Sequence, residues 1–486
     1  MGANGCQEDG EFCRQEAVQA FTSSPALRRR RIGHLVGLGL FLTVLVLWLI
    51  SAFGRPELLD RDWVAFDNAG WRALSGNWSS VYTASADEKW AYLYPPFAVP
   101  LAVPLGLLPY FASYALVVAM GLGGLMWSCR RLGTIADAGD GRFLVFCSAL
   151  LCAPTTLQVL ITGQYSWLYL VALVGAASYW EQGDDRRAGW CLALLAVKPN
   201  LAVLILPLLA VRRCRGLARH AGSAVLAAVV VTLPVSIEAW PRFVDAVRTV
   251  ATVQEQGNAP MEKQITLLSF LRVVAGNFDG SAVTWVLWCV LGVALAAVTL
   301  HAWRRADDAT PALRLVGMAA LAMVALSPRL YFYDGLIVAA PAASWYLRRD
   351  GYTLRPVRRL EGLCLLGIGV VTALFFPWPA VSTAFGPLAG TWLALEAADV
   401  LAGVRARSRS GPAEAPLSDA TTVGSAVRDS PVPVGPVPAG PVPVGPVPAG
   451  PIPAGPIPAG LGTPRLVPDC RQPQAVADGV SSRARG

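Results

Sequence analysis

The sequence predicts an all-α, polytopic integral membrane protein with about twelve membrane segments. Three observations support this prediction: 54% of the 486 residues are hydrophobic and only 15% are charged, the mean hydropathy is +0.48, and arginine clusters separate successive apolar runs. One soluble core does not need that much apolar side chain, whereas spans of about twenty residues each do. The 40 basic residues against 32 acidic ones lie mostly in short loops, which indicates membrane topology and not nucleic-acid binding.

The first apolar run covers residues 34–53 and follows four arginines at 28–31. It has the length of one span, and no small-residue cleavage site follows it, so we interpret it as a retained signal anchor. Because positively charged flanks stay inside, residues 1–33 are expected in the cytoplasm.

Later arginine clusters mark further cytoplasmic turns. They are Arg130 and Arg131, Arg186 and Arg187, Arg212 to Arg219, Arg304 and Arg305, Arg348 to Arg359, and Arg405 to Arg409. Between clusters the chain must cross the membrane and return, as the runs 143–161 and 164–180 do around an outer turn at 162–165. The runs 221–237 and 283–303 do the same around a long outer loop. Both termini are therefore expected in the cytoplasm.

The apolar run 188–211 has arginines at both ends. As one span it would place the arginines of 212–219 outside the membrane. Since Pro199 breaks a helix, we prefer a hairpin of two short arms with Lys198 near its outer turn. Every arginine cluster then stays cytoplasmic.

The sequence after Arg409 differs in composition. Residues 431–460 are six pentads of the form Pro-Val/Ile-Pro-Val/Ala-Gly, which favour extended polyproline II and no packed core. The repeats could bind an SH3-like partner, although a disordered tail is the simpler interpretation. We divide the chain into a cytoplasmic segment (1–33), a transmembrane domain (34–403) and a disordered cytoplasmic tail (404–486).

With this topology, unusual polar residues meet on the outer side. They are Asp60, Asp62, Asp67, Asp87 and Glu88 in the loop 54–96, Gln164 at a tight turn, Lys198, and Arg329 and Asp334 in SPRLYFYD. Ionisable groups at membrane depth are expensive, so Lys198 and Arg329 need an anionic partner, and a lipid phosphate would serve. Alternatively, Lys198 pairs with an outer-loop carboxylate and Arg329 is an ordinary interfacial arginine.

The segment RDWVAFDNAGWRALSGNW contains two aspartates, Asp62 and Asp67. On a helix that starts near Asp62 they lie about 140° apart, so they do not form a paired site. We expect Asp62 to face a pocket and Asp67 to be a solvated loop carboxylate.

Five segments resemble glycosyltransferase family 87 in their order and spacing. They are DWVAFDNAGWRALSGNWSSVY, LYPPFAVPLAVPLGLLP, TGQYSWLYLVAL, AGWCLALLAVKPNLAVLILPLLAVRR and SPRLYFYD. The resemblance covers roughly residues 30–400, because the motifs and not the tail carry it. It implies the GT-C membrane fold in a bacterial plasma membrane. It also implies transfer of a hexose, mannose in this family, from a polyprenyl phosphate donor to a lipid or glycan acceptor at the outer face.

The resemblance implies a role for individual residues. Asp62 takes the place of the catalytic aspartate, and Gln164 and Lys198 match the family's GQ and KP positions. Where the family often has a tyrosine, this chain has Asp67, and the histidine common in the last motif is absent from SPRLYFYD. The predicted donor-phosphate ligands are Lys198 and Arg329, and the predicted substrate-binding residues are Gln164, Tyr94, Tyr331, Tyr333 and Asp334.

The chemistry of these residue types agrees with that implication. Displacement at a sugar carbon needs a base for the acceptor hydroxyl and positive charge for the departing phosphate. One carboxylate base without a nucleophile partner predicts single displacement with inversion, from a β-linked donor to an α-linked product. No cofactor or metal is expected, since Asp62 has no neighbouring acidic cluster and His34, His220 and His301 lie beside arginines at the ends of apolar runs.

Two other classes of protein share part of this pattern. A secondary transporter also has about twelve segments and a charged, broken helix, but it should show two corresponding halves, and the KP break occurs once. A lipid-linked glycan ligase or polymerase relies on arginine clusters in a large outer loop, whereas the loop 238–282 carries only scattered basic residues.

Overall fold

The computed structural model describes residues 62–83, 92–136, 140–209, 211–253, 263–276, 281–347, 355–374 and 379–410. Over these residues the chain is helical, and the only extended pairing is an isolated antiparallel bridge between Gln264 and Tyr331. The predicted all-α class is thereby confirmed. The predicted signal anchor, the proline-rich tail, Asp60, Asp87 and Glu88 lie outside the described residues.

The helices are labelled in chain order. The first eight are α1 (Trp63–Leu74), α2 (Val103–Gly106), α3 (Tyr110–Ile135), α4 (Asp140–Cys152), α5 (Pro154–Thr162), α6 (Ser166–Glu181), α7 (Asp185–Ala193) and α8 (Pro199–Leu209). They are followed by α9 (Arg215–Ser236), α10 (Ala239–Val253), α11 (Leu267–Val274), α12 (Ala282–Arg305), α13 (Ala312–Leu326), α14 (Ala339–Leu347), α15 (Arg355–Leu374) and α16 (Phe385–Ser410). Short 3-10 turns occupy Trp78–Tyr82, Pro96–Leu101, Leu194–Val197, Arg212–Cys214, Phe332–Val338 and Pro379–Ala384. The last helix, α16, extends over residues 404–410, which the sequence analysis assigned to the tail.

Four segments among the described residues are long and apolar enough to cross a membrane. They are α3, α9, α12 and the segment Ala380–Ser408, which includes most of α16. The pair α4 and α5, bent by 50°, can serve as a fifth. Because apolar helices of this length suit a bilayer, they support a membrane protein, and the total of twelve segments remains a prediction.

The bend between α4 and α5 has a local cause at Pro154. Proline lacks the N–H that would donate to the carbonyl of Leu150, four residues earlier. The Thr156 hydroxyl donates to that carbonyl instead, at 2.6 Å. The freed backbone group is thus satisfied within the bent pair, as an apolar environment requires.

Two helices, α6 and α13, form the centre of the bundle. All fifteen residues of α13 are buried, and so are eleven of the sixteen in α6. Apart from Arg314 in α13 and Glu181 at the end of α6, both carry apolar side chains around most of their surface. This pattern is typical of helices surrounded by other helices. A sixteen-residue helix such as α6 is about 24 Å long, so its two ends lie at opposite ends of the bundle.

At the C-terminal end of α6, several arginine-rich turns meet. The Arg213 guanidinium lies 5.3 Å over the Trp180 ring, and that ring is 6.1 Å from the Trp303 ring. Nearby, Arg407 donates two hydrogen bonds to the Asp307 carboxylate, at 2.7 and 3.0 Å. We call this end of the bundle the arginine end.

The segment 188–211 returns to the end from which it starts. After α7 and the turn Leu194–Val197, Lys198 is extended (φ −119°, ψ 91°) and α8 begins at Pro199. The residue before a proline avoids helical dihedrals, whereas proline itself suits the first position of a helix. Because Arg213 contacts Trp180, both ends of this segment lie at the arginine end, as expected for the predicted hairpin.

A buried ion-pair cluster joins α13 to α16. Arg314 Nε donates to Glu396 Oε2 at 2.6 Å, and Arg314 Nη2 donates to Asp399 Oδ2 at 2.8 Å. The two carboxylates are three residues apart and therefore share one face of α16. Glu361 of α15 is also fully buried, and neither of its carboxylate oxygens has a hydrogen-bond partner among the described residues. None of these residues was predicted from the sequence.

Candidate functional site

At the N-terminal end of α6, opposite the arginine end, Lys198 and Asp334 form an ion pair. Lys198 Nζ donates to Asp334 Oδ2. The Ser166 hydroxyl donates to Asp334 Oδ1 at 2.9 Å, and the Tyr331 N–H donates to Oδ2 at 3.2 Å. Asp334 is fully buried, whereas 16% of the Lys198 side chain is exposed. The protein therefore buries the carboxylate among three donors and leaves part of the lysine accessible.

The hairpin tip is tied to the turn that follows α13. Asn200 Nδ2 donates to Ser327 Oγ at 3.1 Å and to the backbone carbonyl of Arg329 at 2.7 Å. These bonds hold Lys198, two residues before Asn200, beside the SPRLYFYD segment. The backbone carbonyl of Arg329 therefore lies beside the site, and the residue as a whole is half-buried.

The tyrosines of SPRLYFYD surround the lysine. The rings of Tyr331 and Tyr333 stack with centroids 5.6 Å apart. Lys198 Nζ lies 5.5 Å from the centroid of the Tyr333 ring and 5.9 Å from that of Tyr169 in α6. An ammonium within about 6 Å of an aromatic face is attracted to it, so these rings help to fix Lys198.

Gln164 lies in the tight turn between α5 and α6. Its side chain is buried, and its Oε1 accepts a hydrogen bond from the Tyr94 hydroxyl at 3.2 Å. The turn depends on Gly163, which has φ +69° and ends α5 in the left-handed conformation. A Cβ on Gly163 would lie only 2.8 Å from the Cβ of Trp63, so glycine is required for space as well as for conformation.

Asp62 occupies the N-cap position of α1, directly before Trp63. Its charge reaches the tyrosines around the lysine. Burial raises the pKa of the Tyr333 hydroxyl, and the charges of Asp62 and Asp334 raise it further. Burial likewise raises the pKa of the Tyr94 hydroxyl, and Asp334 and Asp62 add to that shift. Asp62 is therefore close enough for its charge to act on Tyr94 and Tyr333, and the next residue, Trp63, packs against Gly163 beside Gln164.

Asp67 has a different environment from the solvated loop expected for it. It is half-buried, and the Ser113 hydroxyl of α3 lies 3.2 Å from its Oδ1. Trp63 Nε1 donates to the same hydroxyl at 3.1 Å. Asp67 thus belongs to a polar contact that anchors α1 to the start of α3.

One wall of the site is aromatic. The buried ring of Phe66 contacts Tyr92, Tyr94 and Tyr165, with centroids 5.7, 4.9 and 4.3 Å away. Tyr92 and Tyr165 were not predicted as site residues. The signal that could have identified them is the density of tyrosine beside Tyr94 and Gln164 in the sequence.

An apolar groove of about 520 Å³ begins next to Asp334. It runs between α4, α14, α15 and the turn Phe332–Val338, and its lining includes Phe146, Leu336, Tyr346 and Ile368. Gly335 and Leu336, which directly follow Asp334, are part of this lining. The residue that pairs with Lys198 is therefore followed directly in the sequence by residues that line the groove.

The structure places Asp62, Tyr94, Gln164, Lys198, Tyr331, Tyr333 and Asp334 at one end of the bundle, with the Arg329 backbone beside them. Among the described residues, no group of three or more His, Cys, Asp or Glu side chains has a geometry that could hold a metal ion. The arrangement offers two carboxylates, of which Asp334 is paired with Lys198, one partly accessible ammonium, amide and phenol groups, and an apolar groove.

The sequence model of glycosyltransferase family 87 matches residues 92–328. The matched region contains Tyr94, Gln164 and Lys198, whereas Asp62 lies before it and Asp334 after it. This match confirms the resemblance to this family that the sequence motifs indicated, and it supports glycosyltransferase activity. No curated protein and no solved structure matches the chain significantly.

Proposed function

We propose that this membrane glycosyltransferase of the family 87 type transfers a hexose, and specifically mannose, from a polyprenyl phosphate to a lipid or glycan acceptor. The observation that carries the proposal is that the Asp62 charge and Lys198 Nζ both act on Tyr333, at the end of the bundle opposite the arginines. Since arginine-rich turns stay on the cytoplasmic side, that site faces outward. The protein then works in the bacterial plasma membrane with both termini inside.

The reaction we propose is a single displacement at the anomeric carbon. Asp62 removes the proton of the acceptor hydroxyl, whose oxygen forms the new bond to that carbon. The bond between the carbon and the phosphate oxygen breaks, and its electron pair stays on the polyprenyl phosphate. Lys198, assisted by Arg329, stabilises the negative charge that develops there. Attack opposite to the leaving group converts a β-linked donor into an α-linked product.

The polar neighbours suit a sugar between these two groups. Because Tyr94 occupies the Oε1 atom of Gln164, the Gln164 amide nitrogen is left to donate to a sugar hydroxyl. The stacked Tyr331 and Tyr333 rings offer an apolar face, on which the C–H side of a hexose can pack. In this arrangement, neither a metal ion nor an organic cofactor has an assigned role.

The apolar groove next to Asp334 suits the isoprenoid chain of the donor. Its lining comes from Phe146, Leu336 and Ile368 and is almost entirely apolar. Burying apolar surface contributes about 25 cal/mol per Å². The isoprenoid chain of the donor would therefore supply much of the binding free energy. The phosphate would then lie near Lys198, while the isoprenoid remains within the hydrocarbon layer.

The test uses the purified full-length protein in lipid vesicles, with radiolabelled hexoses on polyprenyl phosphate and a panel of glycolipid and glycan acceptors. We expect consumption of the mannosyl donor and an α-linked product, identified by the anomeric proton signal in NMR. Uptake of a solute without sugar transfer would overturn the proposal in favour of a transporter. Transfer of a whole glycan from a lipid diphosphate would identify a ligase or polymerase instead.

A further inference from the structure

Asp334 is not accessible to a substrate. The residue is fully buried, Oδ1 accepts from the Ser166 hydroxyl, and Oδ2 accepts from Lys198 Nζ and the Tyr331 N–H. A carboxylate in this environment does not bind a sugar directly. Among the described residues its charged partner is Lys198, and that side chain is the partly exposed member of the pair.

Ser166 is the other buried member of this arrangement. It is the first residue of α6 and is 1% exposed. Its contact with Asp334 joins residues that are 168 positions apart. Ser166 lies two residues after Gln164, which we predict to bind the sugar. One short segment therefore carries both the predicted sugar-binding residue and the hydroxyl that donates to Asp334.

We propose that Ser166 and Asp334 are positioning residues that hold the Lys198 ammonium where the donor phosphate binds. This inference rests on the proposed function, because it assigns Lys198 to the phosphate. It replaces the direct substrate contact expected for Asp334 from the sequence, and it adds Ser166, which the motifs did not single out.

The physical reason is the cost of desolvation. An ammonium or a carboxylate that leaves water without a partner is strongly destabilised, whereas the pair with additional hydrogen bonds is tolerated. Ser166 and the Tyr331 N–H supply those additional bonds and fix the orientation of the carboxylate. Oriented in this way, Asp334 holds Lys198 Nζ beneath the Tyr333 ring. The ammonium is thus preorganised before the phosphate arrives.

The test is a double-mutant cycle on the full-length protein in lipid nanodiscs. Ser166→Ala is made in the wild-type chain and in Lys198→Ala, and the affinity for polyprenyl phosphate is measured directly beside kcat and KM. Ser178→Ala is the matched control, because Ser178 is equally buried on α6 but lies near the arginine end.

We expect Ser166→Ala to weaken polyprenyl phosphate binding and raise KM about tenfold, with kcat changed less than threefold. Ser178→Ala should change neither. In the Lys198→Ala background, Ser166→Ala should have less than a twofold effect, because the group through which it acts is gone. For Asp334→Asn we expect the same changes in affinity, KM and kcat. A cooperative thermal unfolding transition would first establish that this variant is folded.

Two outcomes would overturn the inference. One is a fall in kcat with KM unchanged in Ser166→Ala, since this would indicate a role in the chemical step. The other is a tenfold loss of affinity in both backgrounds, since Ser166 would then act independently of Lys198. A failure of the proposed function is distinguishable, because it appears as a wild-type protein that binds polyprenyl phosphate and transfers no sugar.

Discussion

The Tyr94 hydroxyl donates to Gln164 Oε1 at 3.2 Å across seventy residues of sequence. This contact joins the LYPPF segment to the turn before α6. It sets which atoms of the Gln164 amide remain available in the site.

Tyr94→Phe should raise the KM for the sugar donor about three- to tenfold, because the Gln164 amide loses the bond that orients it. The melting temperature should change little, since the ring remains in contact with Phe66. Steady-state kinetics with the mannosyl donor measure this effect. Tyr179→Phe, near the other end of α6, is the control, and an equal rise in KM there would contradict our interpretation.

Asp62→Asn should lower kcat by about two to four orders of magnitude, because an amide cannot take the acceptor proton. Binding of polyprenyl phosphate should persist within a few fold. Single-turnover assays beside direct binding measurements separate the two quantities. Asp67→Asn is the comparison, because Asp67 contacts Ser113 and has no proposed role in proton transfer. Full activity in Asp62→Asn would remove Asp62 as the base.

Gly163→Ala should destabilise the protein by more than Gly183→Ala does. Both glycines have positive φ, +69° and +76°, so the conformational cost of alanine, about 1 kcal/mol, is common to the two variants. Only at Gly163 would the new Cβ collide, at 2.8 Å from the Trp63 Cβ, since nothing lies within 4 Å at Gly183. Melting temperatures in detergent compare the two. Equal losses would show that Trp63 moves freely.

Arg314→Met should lower the free energy of unfolding by about 3–5 kcal/mol, because it leaves Glu396 and Asp399 buried without their cation. The midpoint of thermal unfolding measures the loss. Arg359→Met changes an exposed arginine on α15 and should be nearly neutral. A small effect of Arg314→Met would mean that water reaches the two carboxylates.

Glu361→Gln should leave thermal stability unchanged or raise it. The Glu361 side chain is fully buried, its oxygens have no hydrogen-bond partner among the described residues, and a charge there would be unfavourable. A neutral amide of nearly the same shape avoids that charge. Glu396→Gln is the contrasting variant, because Glu396 accepts a bond from Arg314. A clear loss of stability in Glu361→Gln would show that the carboxylate is engaged.

The sequence predicted the parts of the fold that follow from local chemistry. Pro199 cannot continue a helix, and arginines favour one side of the membrane, so the Lys198 break and the return to the arginine end could be expected. Gln164 and Lys198 were predicted from motifs, and the structure brings them to one end of the bundle. The number of membrane segments and the orientation of the termini remain predictions.

Long-range partners could not be predicted in the same way. Ser166 and Asp334 are 168 residues apart, and Arg314 lies 82 and 85 residues before its two carboxylates. Nothing in the local pattern of an apolar helix says which distant helix it will contact. Asp67 shows the same limit, because its neighbour Ser113 belongs to another helix.

The helix α6 makes contacts at both of its ends that depend on its length. Ser166 and Tyr169 meet Asp334 and Lys198 at one end, and Trp180 meets Arg213 at the other. One inserted residue would rotate one set of side chains about 100° relative to the other and shift it by about 1.5 Å. The contacts at its two ends therefore fix the length of α6. A helix of another length could not keep the contacts at the tip of the hairpin and those at its base at the same time.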